Sequence, residues 1–138
     1  MENVKIEHTI STDEFLDIIE SVGFKTYSKE QVDKALKNTM YMVKVVLNDE
    51  VVGIGRVVGD YSILCCLSDI CVRPEYQGKG IGLMIIKELK RMVEDGVGEG
   101  EKMQIELTPT AGNEKFYEKG GFKYKPDVLT GMYLWIKK

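Results

Sequence analysis

Residues 74–82, PEYQGKGIG, separate an apolar segment at 63–72 from an amphipathic one that follows. The first four N–H groups of a helix have no partner inside it. Ser, Thr, Asp or Asn normally caps them, yet this helix start offers only Gln77, Gly78, Lys79 and Gly80. Glycine admits positive φ and close backbone approach, and the helix dipole puts positive potential at the same point. A bound anion would replace the missing cap, and Lys79 would add a charged contact. The plain alternative is a turn whose N–H groups meet water. Spacing excludes two phosphate motifs. G-x-G-x-x-G fails because Leu83 or Ile85 stands where its third glycine belongs. The P-loop fails because Gly80 follows Lys79 and Arg73 replaces its first glycine.

The length of 138 residues suits one domain, and 43% hydrophobic with 30% charged residues is ordinary for a soluble globular chain. No apolar run approaches the roughly 20 residues needed to cross a bilayer. The start, MENVKIEHTI, has no signal-peptide core, so a cytoplasmic protein is expected, with no membrane partner. A net charge of −3 argues against nucleic acid as a partner. Cys65, Cys66 and Cys71 form no C-x-x-C pair, which speaks against a disulfide framework and a metal site. His8, the single histidine, lies in the apparent first strand, far in sequence from the glycine-rich turn, and is a poor candidate for a nucleophile's base.

Residues 4–10 read as a strand. Ser11 and Glu14 form a capping-box pair ahead of Phe15, Ile18, Ile19 and Val22, which share one helical face, and Gly23 closes that helix. Ser28 and Gln31 repeat the signature before Val32, Ala35 and Leu36, with an end near Asn38. Residues 40–47 and 51–58 form a hairpin about the turn 48–50. After a turn at 59–62, residues 63–72 make a longer, largely apolar strand suited to a central place in the sheet. A helix over about 80–94 follows, then the loop DGVGEGE, a strand over 103–107 and a short helix over 113–119 closed by Gly120 and Gly121. Strands over 122–124 and 132–137 end the chain. The order βααβββαβαββ specifies an α+β fold with a mixed sheet and helices on both faces.

Two stretches carry a family resemblance. CVRPEYQGKGIGLMII resembles motif A of the GNAT superfamily of acyl-CoA N-acyltransferases, with Q-x-x-G-x-G on Gln77, Gly80 and Gly82. FYEKGGFKY, residues 116–124, resembles the family's Y-E-K-x-G-F signature after its last helix. GIGRVVGD, ahead of SDICVRPEYQGKGIG, is similar to a bacterial and plant branch that includes arylalkylamine-type acetyltransferases. The resemblance runs from about residue 22 to 122. It implies a single N-acetyltransferase domain over 1–138. Its sheet would be mixed and mostly antiparallel, with one parallel, splayed strand pair.

The resemblance also implies acetyl-CoA as co-substrate and transfer of acetyl to a primary amine by direct attack. Gln77, Gly78, Lys79, Gly80, Ile81 and Gly82 would hold the pyrophosphate, and Ile70, Cys71 and Val72 would run beside the pantetheine arm. Asn113, Phe116 and Tyr117 complete the cofactor-contacting set. The backbone N–H of Val72 is a candidate donor to the carbonyl oxygen; an ordinary strand pairing is the alternative. Tyr117 matches the general acid, or is a half-buried helix aromatic. Asp69 serves as base or as holder of a cationic amine, or is a strand carboxylate paired with an Arg or Lys. Tyr27, Arg56 and Asp60 would line the acceptor pocket, or else sit solvated at the surface.

Two departures stand out. Thr110 occupies the place of the family's cofactor-contacting Asn, with Asn113 nearby but out of register, and no glutamate holds an obvious base position. The expected partner is a small-molecule amine, with protein lysine also open; a homodimer through a final strand at the sheet edge is compatible with the pattern. The competing class is a non-catalytic acyl-CoA-binding or sensor domain.

Overall fold

The computed structural model describes residues 3–24, 26–110 and 112–123. It divides into two compact units, Met1–Leu107 and Thr108–Lys138. In the first, β1 (Val4–Glu7) leads to α1 (Thr12–Ser21) and α2 (Lys29–Lys37). Then come β2 (Tyr41–Leu47), β3 (Glu50–Gly59), β4 (Leu64–Val72), a 3-10 turn (Pro74–Tyr76), α3 (Ile81–Gly96) and β5 (Gln104–Glu106). The sheet order is β1-β2-β3-β4-β5. The first three pairings are antiparallel and β4–β5 is parallel, the mixed sheet expected.

Local chemistry sets most boundaries. The Ser11 hydroxyl accepts from the Glu14 amide at 3.1 Å and the Glu14 carboxylate accepts from the Ser11 amide at 2.8 Å, a complete capping box. Gly23, at φ +77°, ends α1 in a Schellman closure, with its amide on Glu20 O and the Phe24 amide on Ile19 O. Asn48 and Asp49 both take positive φ between the paired Leu47 and Glu50, the backbone a two-residue hairpin turn needs.

The two faces of β3 separate the helices. Ile54 packs with Phe15, Ile18 and Ile19 of α1, Val32 and Leu36 of α2, and Cys71. On the other face a Cβ at Gly53 would stand 2.9 Å from Ile81 and Ile85, and one at Gly55 would stand 2.6 Å from Ile85. Absence of side chains at these two positions is what lets α3 lie directly on the strand.

Several boundaries differ from expectation. β1 stops at Glu7, where its pairing with Lys44 ends, and Ile10 drops into the core ahead of the Ser11 cap. α3 continues to Gly96, where a Cβ would stand 2.6 Å from the Tyr41 hydroxyl. β5 is shorter than the segment 103–107. Phe122 belongs to the closure of α4 (Glu114–Lys119) instead of starting a strand. Tyr124, the segment 126–131 and the strand expected over 132–137 lie outside the described residues.

Lys44, buried in the sheet, donates to both carboxylate oxygens of Glu14 at 2.9 Å and lies 3.5 Å from Glu7. Burial pushes the Glu14 carboxyl up, but the Ser11 amide and the Lys44 ammonium outweigh it and hold the group below its ordinary value of 4.5. The folded state thus binds this proton less readily than the unfolded chain. The stabilisation is fully present above pH 4.5 and is lost as pH falls through the folded-state value. Accordingly, Glu14→Gln is expected to lower unfolding free energy at neutral pH, and its deficit relative to wild type should shrink on acidification. Urea denaturation at stepped pH measures both.

Candidate functional site

The helix start that lacked a cap in the sequence lacks one in the structure. Gly80 is the N-cap of α3 at φ +84° and makes no side-chain capping bond. Met84 N–H reaches Gly80 O at 3.0 Å, whereas the N–H groups of residues 78–83 meet no acceptor among the described residues. Gly78 also has positive φ, +78°, and a Cβ at either glycine would meet nothing within 4 Å. These glycines are therefore required by backbone conformation, and the space over them is open.

The turn is held from below. Gln77 Nε2 donates to Val72 O at 3.0 Å. The Arg73 amide donates to Val52 O at 2.9 Å, its Nε to Val51 O at 2.7 Å, and its guanidinium pairs with Asp17. Lys79 Nζ lies 5.5 Å from the centroid of the Tyr76 ring, whose hydroxyl donates to Glu50 at 3.0 Å.

Upstream of the turn, one edge of β4 lacks a strand partner among the described residues over its last residues. Its parallel pairing with β5 runs from Leu64↔Gln104 to Cys66↔Glu106, and β4 continues to Val72 without a further described partner on that side. Antiparallel partners alternate between bonded and non-bonded pairs. Arg73 bonds to Val52, so Val72, opposite Gly53, directs its N–H away from β3. Cys71 faces the α1 side, packed with Ile54, and the Ile70 side chain reaches Gly55 on the α3 side.

A bulge interrupts β4 at this level. Arg56 is opposite Ser68 and Ile54 opposite Cys71, so Asp69 and Ile70 together face the single residue Gly55. Asp69 has φ +54°. Its Oδ2 accepts from Arg56 Nε at 2.6 Å and from Ser68 Oγ at 3.3 Å, while Arg56 Nη1 donates to Thr39 Oγ1 at 3.1 Å. Of the roles open to Asp69, the ion pair is the one these contacts form. Thr39, Ser68 and the bulge itself escaped sequence reading; the polar pair Ser68-Asp69 inside an apolar strand was the signal available.

The other acceptor-side candidates are dispersed. Tyr27 is exposed on the connection between α1 and α2 and hydrogen-bonds to neither Arg56 nor Asp69. Asp60 is spent on its own turn: Oδ1 accepts from the amides of Ser62, Ile63 and Leu64, which hold the carboxyl below its ordinary value. His8 lies 3.5 Å from Glu88 of α3. Burial raises the thiols of Cys65 and Cys66 and pushes that of Cys71 up to about 12.

In the second unit, Tyr117 sits on α4 with its ring edge-on to Phe116 at 5.0 Å and to Phe122 at 6.3 Å. Gly121, at φ +96°, closes α4 by a second Schellman pattern: Gly121 N–H to Glu118 O and Phe122 N–H to Tyr117 O. The Gly-Gly-Phe signature thus places the aromatic that packs on Tyr117. Asn113 Nδ2 donates to Thr110 Oγ1 at 2.6 Å, so the residue at the family's Asn position and its out-of-register neighbour form one hydrogen-bonded pair.

A family model described as "Acetyltransferase (GNAT) domain" matches residues 7–129. The chain belongs to the GNAT acetyltransferase family. Among curated relatives, an uncharacterized N-acetyltransferase ycf52 from Pyropia yezoensis is 27% identical over 124 residues, covering 87% of this chain and 69% of that protein. A probable acetyltransferase from meticillin-resistant Staphylococcus aureus superposes with a TM-score of 0.85 at 25% identity, covering 96% of this chain and 99% of that one. A GNAT family acetyltransferase from Streptococcus pneumoniae gives a TM-score of 0.75 at 27% identity over 98% and 97% of the two chains. This GNAT protein is an acetyltransferase, and no helix among its described residues is long and apolar enough to cross a membrane.

Left-handed backbone costs a residue with a Cβ about 1–2 kcal/mol, and Gly80 has no neighbour to clash with. Gly80→Ala is expected to lower stability by about that amount and no more, as read by thermal or urea unfolding, because the loss is conformational and not steric.

Proposed function

We propose that this GNAT enzyme is an acetyl-CoA-dependent N-acetyltransferase acting on a primary amine by direct attack, with the whole chain serving as one catalytic domain. One juxtaposition carries the reading: uncapped N–H groups over residues 78–83 follow directly on a strand edge, 67–72, that has left its β5 partner. The residues present fit the cofactor. Open space over two left-handed glycines suits a pyrophosphate, and a bare strand edge suits an arm bearing amide groups.

Acetyl-CoA, when bound, supplies an acetyl group already activated as a thioester. Residues 77–82 would hold its pyrophosphate, with Lys79 adding charge, while Ile70, Cys71 and Val72 would border the pantetheine. Gln77 occupies the Val72 carbonyl, and the Val72 amide then serves as the donor to the oxygen that gains charge. Tyr117 serves as general acid. A phenol carries a proton that it can pass to the departing sulfur. Phe116 and the Thr110–Asn113 pair would support the same cofactor arm. The raised thiols of all three cysteines favour direct transfer over an acyl-cysteine route.

On the acceptor side, Tyr27, Arg56 and Asp69 remain the proposed lining, and the net charge of −3 favours a cationic small amine over nucleic acid. Free cysteines accord with a reducing, cytoplasmic setting.

Incubation with acetyl-CoA and a panel of arylalkylamines, polyamines, amino sugars and lysine peptides, with thiol release as readout, tests the reading. Turnover with at least one amine is expected; CoA binding with no release for any amine would make the chain a non-catalytic CoA-binding module. Tyr117→Phe should lower kcat by about 10²- to 10⁴-fold while CoA affinity measured by calorimetry is retained. Unchanged turnover removes Tyr117 from the mechanism.

A further inference from the structure

The hydrophobic phase of β4 switches sides along its length. Cys65 and Leu67 are buried opposite Gly59 and Val57, and Cys71 is buried opposite Ile54, which packs on α1 and α2. A strand alternates strictly, so odd-numbered residues cannot serve both faces without one extra residue between 67 and 71. The core therefore demands a bulge. It does not by itself dictate whether residue 68, 69 or 70 takes the left-handed backbone.

We propose that Asp69 is a positioning residue: its left-handed backbone and its ion pair with Arg56 pin the bulge at residue 69 and so fix the direction of the β4 edge at Ile70–Val72 that borders the cofactor. This rests on the acetyl-CoA reading given above. Three observations carry it. Of Ser68, Asp69 and Ile70, aspartate tolerates positive φ best and the β-branched isoleucine worst. Arg56 is anchored independently of Asp69, by Thr39 Oγ1 at 3.1 Å and by the Phe15 ring 6.0 Å from its guanidinium. Both partners are mostly shielded, with 17% and 23% side-chain exposure, so the 2.6 Å contact between them is a restraint and not a solvated surface pair. A bulge slid to residue 68 or 70 would carry the carboxylate away from Arg56 and rotate the Ile70 and Val72 amides with it.

Asp69→Ala removes both the pair and the tolerance of positive φ. Asp69→Asn keeps the tolerance and an oxygen for Arg56 Nε, and Asp69→Gly keeps the tolerance alone. The positioning role predicts that the Ala variant weakens CoA binding and raises KM for acetyl-CoA about tenfold, the scale of a charge-assisted hydrogen bond. Gly should fall in the same direction and Asn recover most of the loss, with the shape of the kcat/KM pH profile retained in all. An Asn variant as impaired in kcat as Ala, with CoA affinity intact and the acid limb of the pH profile displaced, makes Asp69 the base and overturns the proposal. Should Ala fail to fold, the Asn–Gly comparison decides alone. If wild type binds no CoA, the cofactor reading falls, and amide hydrogen exchange over residues 68–72 then tests the pinning: faster exchange in Gly than in Asn supports it, and equal exchange refutes it.

Discussion

Strand β4 changes the face it buries, and the functional part of the molecule follows from that change. Below the bulge it is an ordinary interior strand, paired with β3 on one edge and β5 on the other. Above it, β3 pairing resumes while β5 pairing does not. Backbone N–H and C=O groups seek partners, and the upper half of β4 has one satisfied edge and one without a strand partner among the described residues. Such an edge offers main chain in place of side chains to a ligand, which explains how a single residue's φ can matter to it.

Close packing of α3 extends the same arrangement. Gly53 and Gly55 leave no side chains between β3 and the helix, and Ile81, Ile85 and Leu89 occupy that space. The helix start at Ile81 is buried, whereas the glycines immediately before it are exposed. The sheet thereby holds the amide-bearing end of α3 firmly at the end of β4. Arg73, tied to β3 carbonyls and to Asp17 of α1, fixes the chain between them. Bare strand edge and uncapped helix end are consecutive because only the short turn at 73–80 separates them, and that turn has its own anchors.

The features that local chemistry encodes were legible in the sequence: the Ser11–Glu14 capping box, the Asn48-Asp49 turn, the helix closures at Gly23 and Gly121, and the missing cap at Gly80. Each depends on residues within five positions of one another. The parallel strand pair came from family resemblance, and the register places its last partners at Cys66 and Glu106. What stayed hidden was long-range. Gly96 falls in the expected loop, yet it lies in α3, close to the Tyr41 hydroxyl of a distant strand. The bulge left only a faint trace, because polar residues within an apolar strand are read first as chemistry and only second as geometry.

Asp69 illustrates why that order misleads. Aspartate is chosen at such a position for two separable properties: a carboxylate that can take a proton, and a short polar side chain that tolerates left-handed backbone. Sequence displays both at once and cannot separate them. The structure does so through Arg56, whose Nε takes the oxygen Oδ2 that Ser68 also contacts. Arg56 is itself anchored at Thr39 Oγ1, so its contact with Oδ2 fixes the carboxylate in place at the bulge. An ion pair at this position, on a residue in left-handed backbone, therefore favours a carboxylate that stays put.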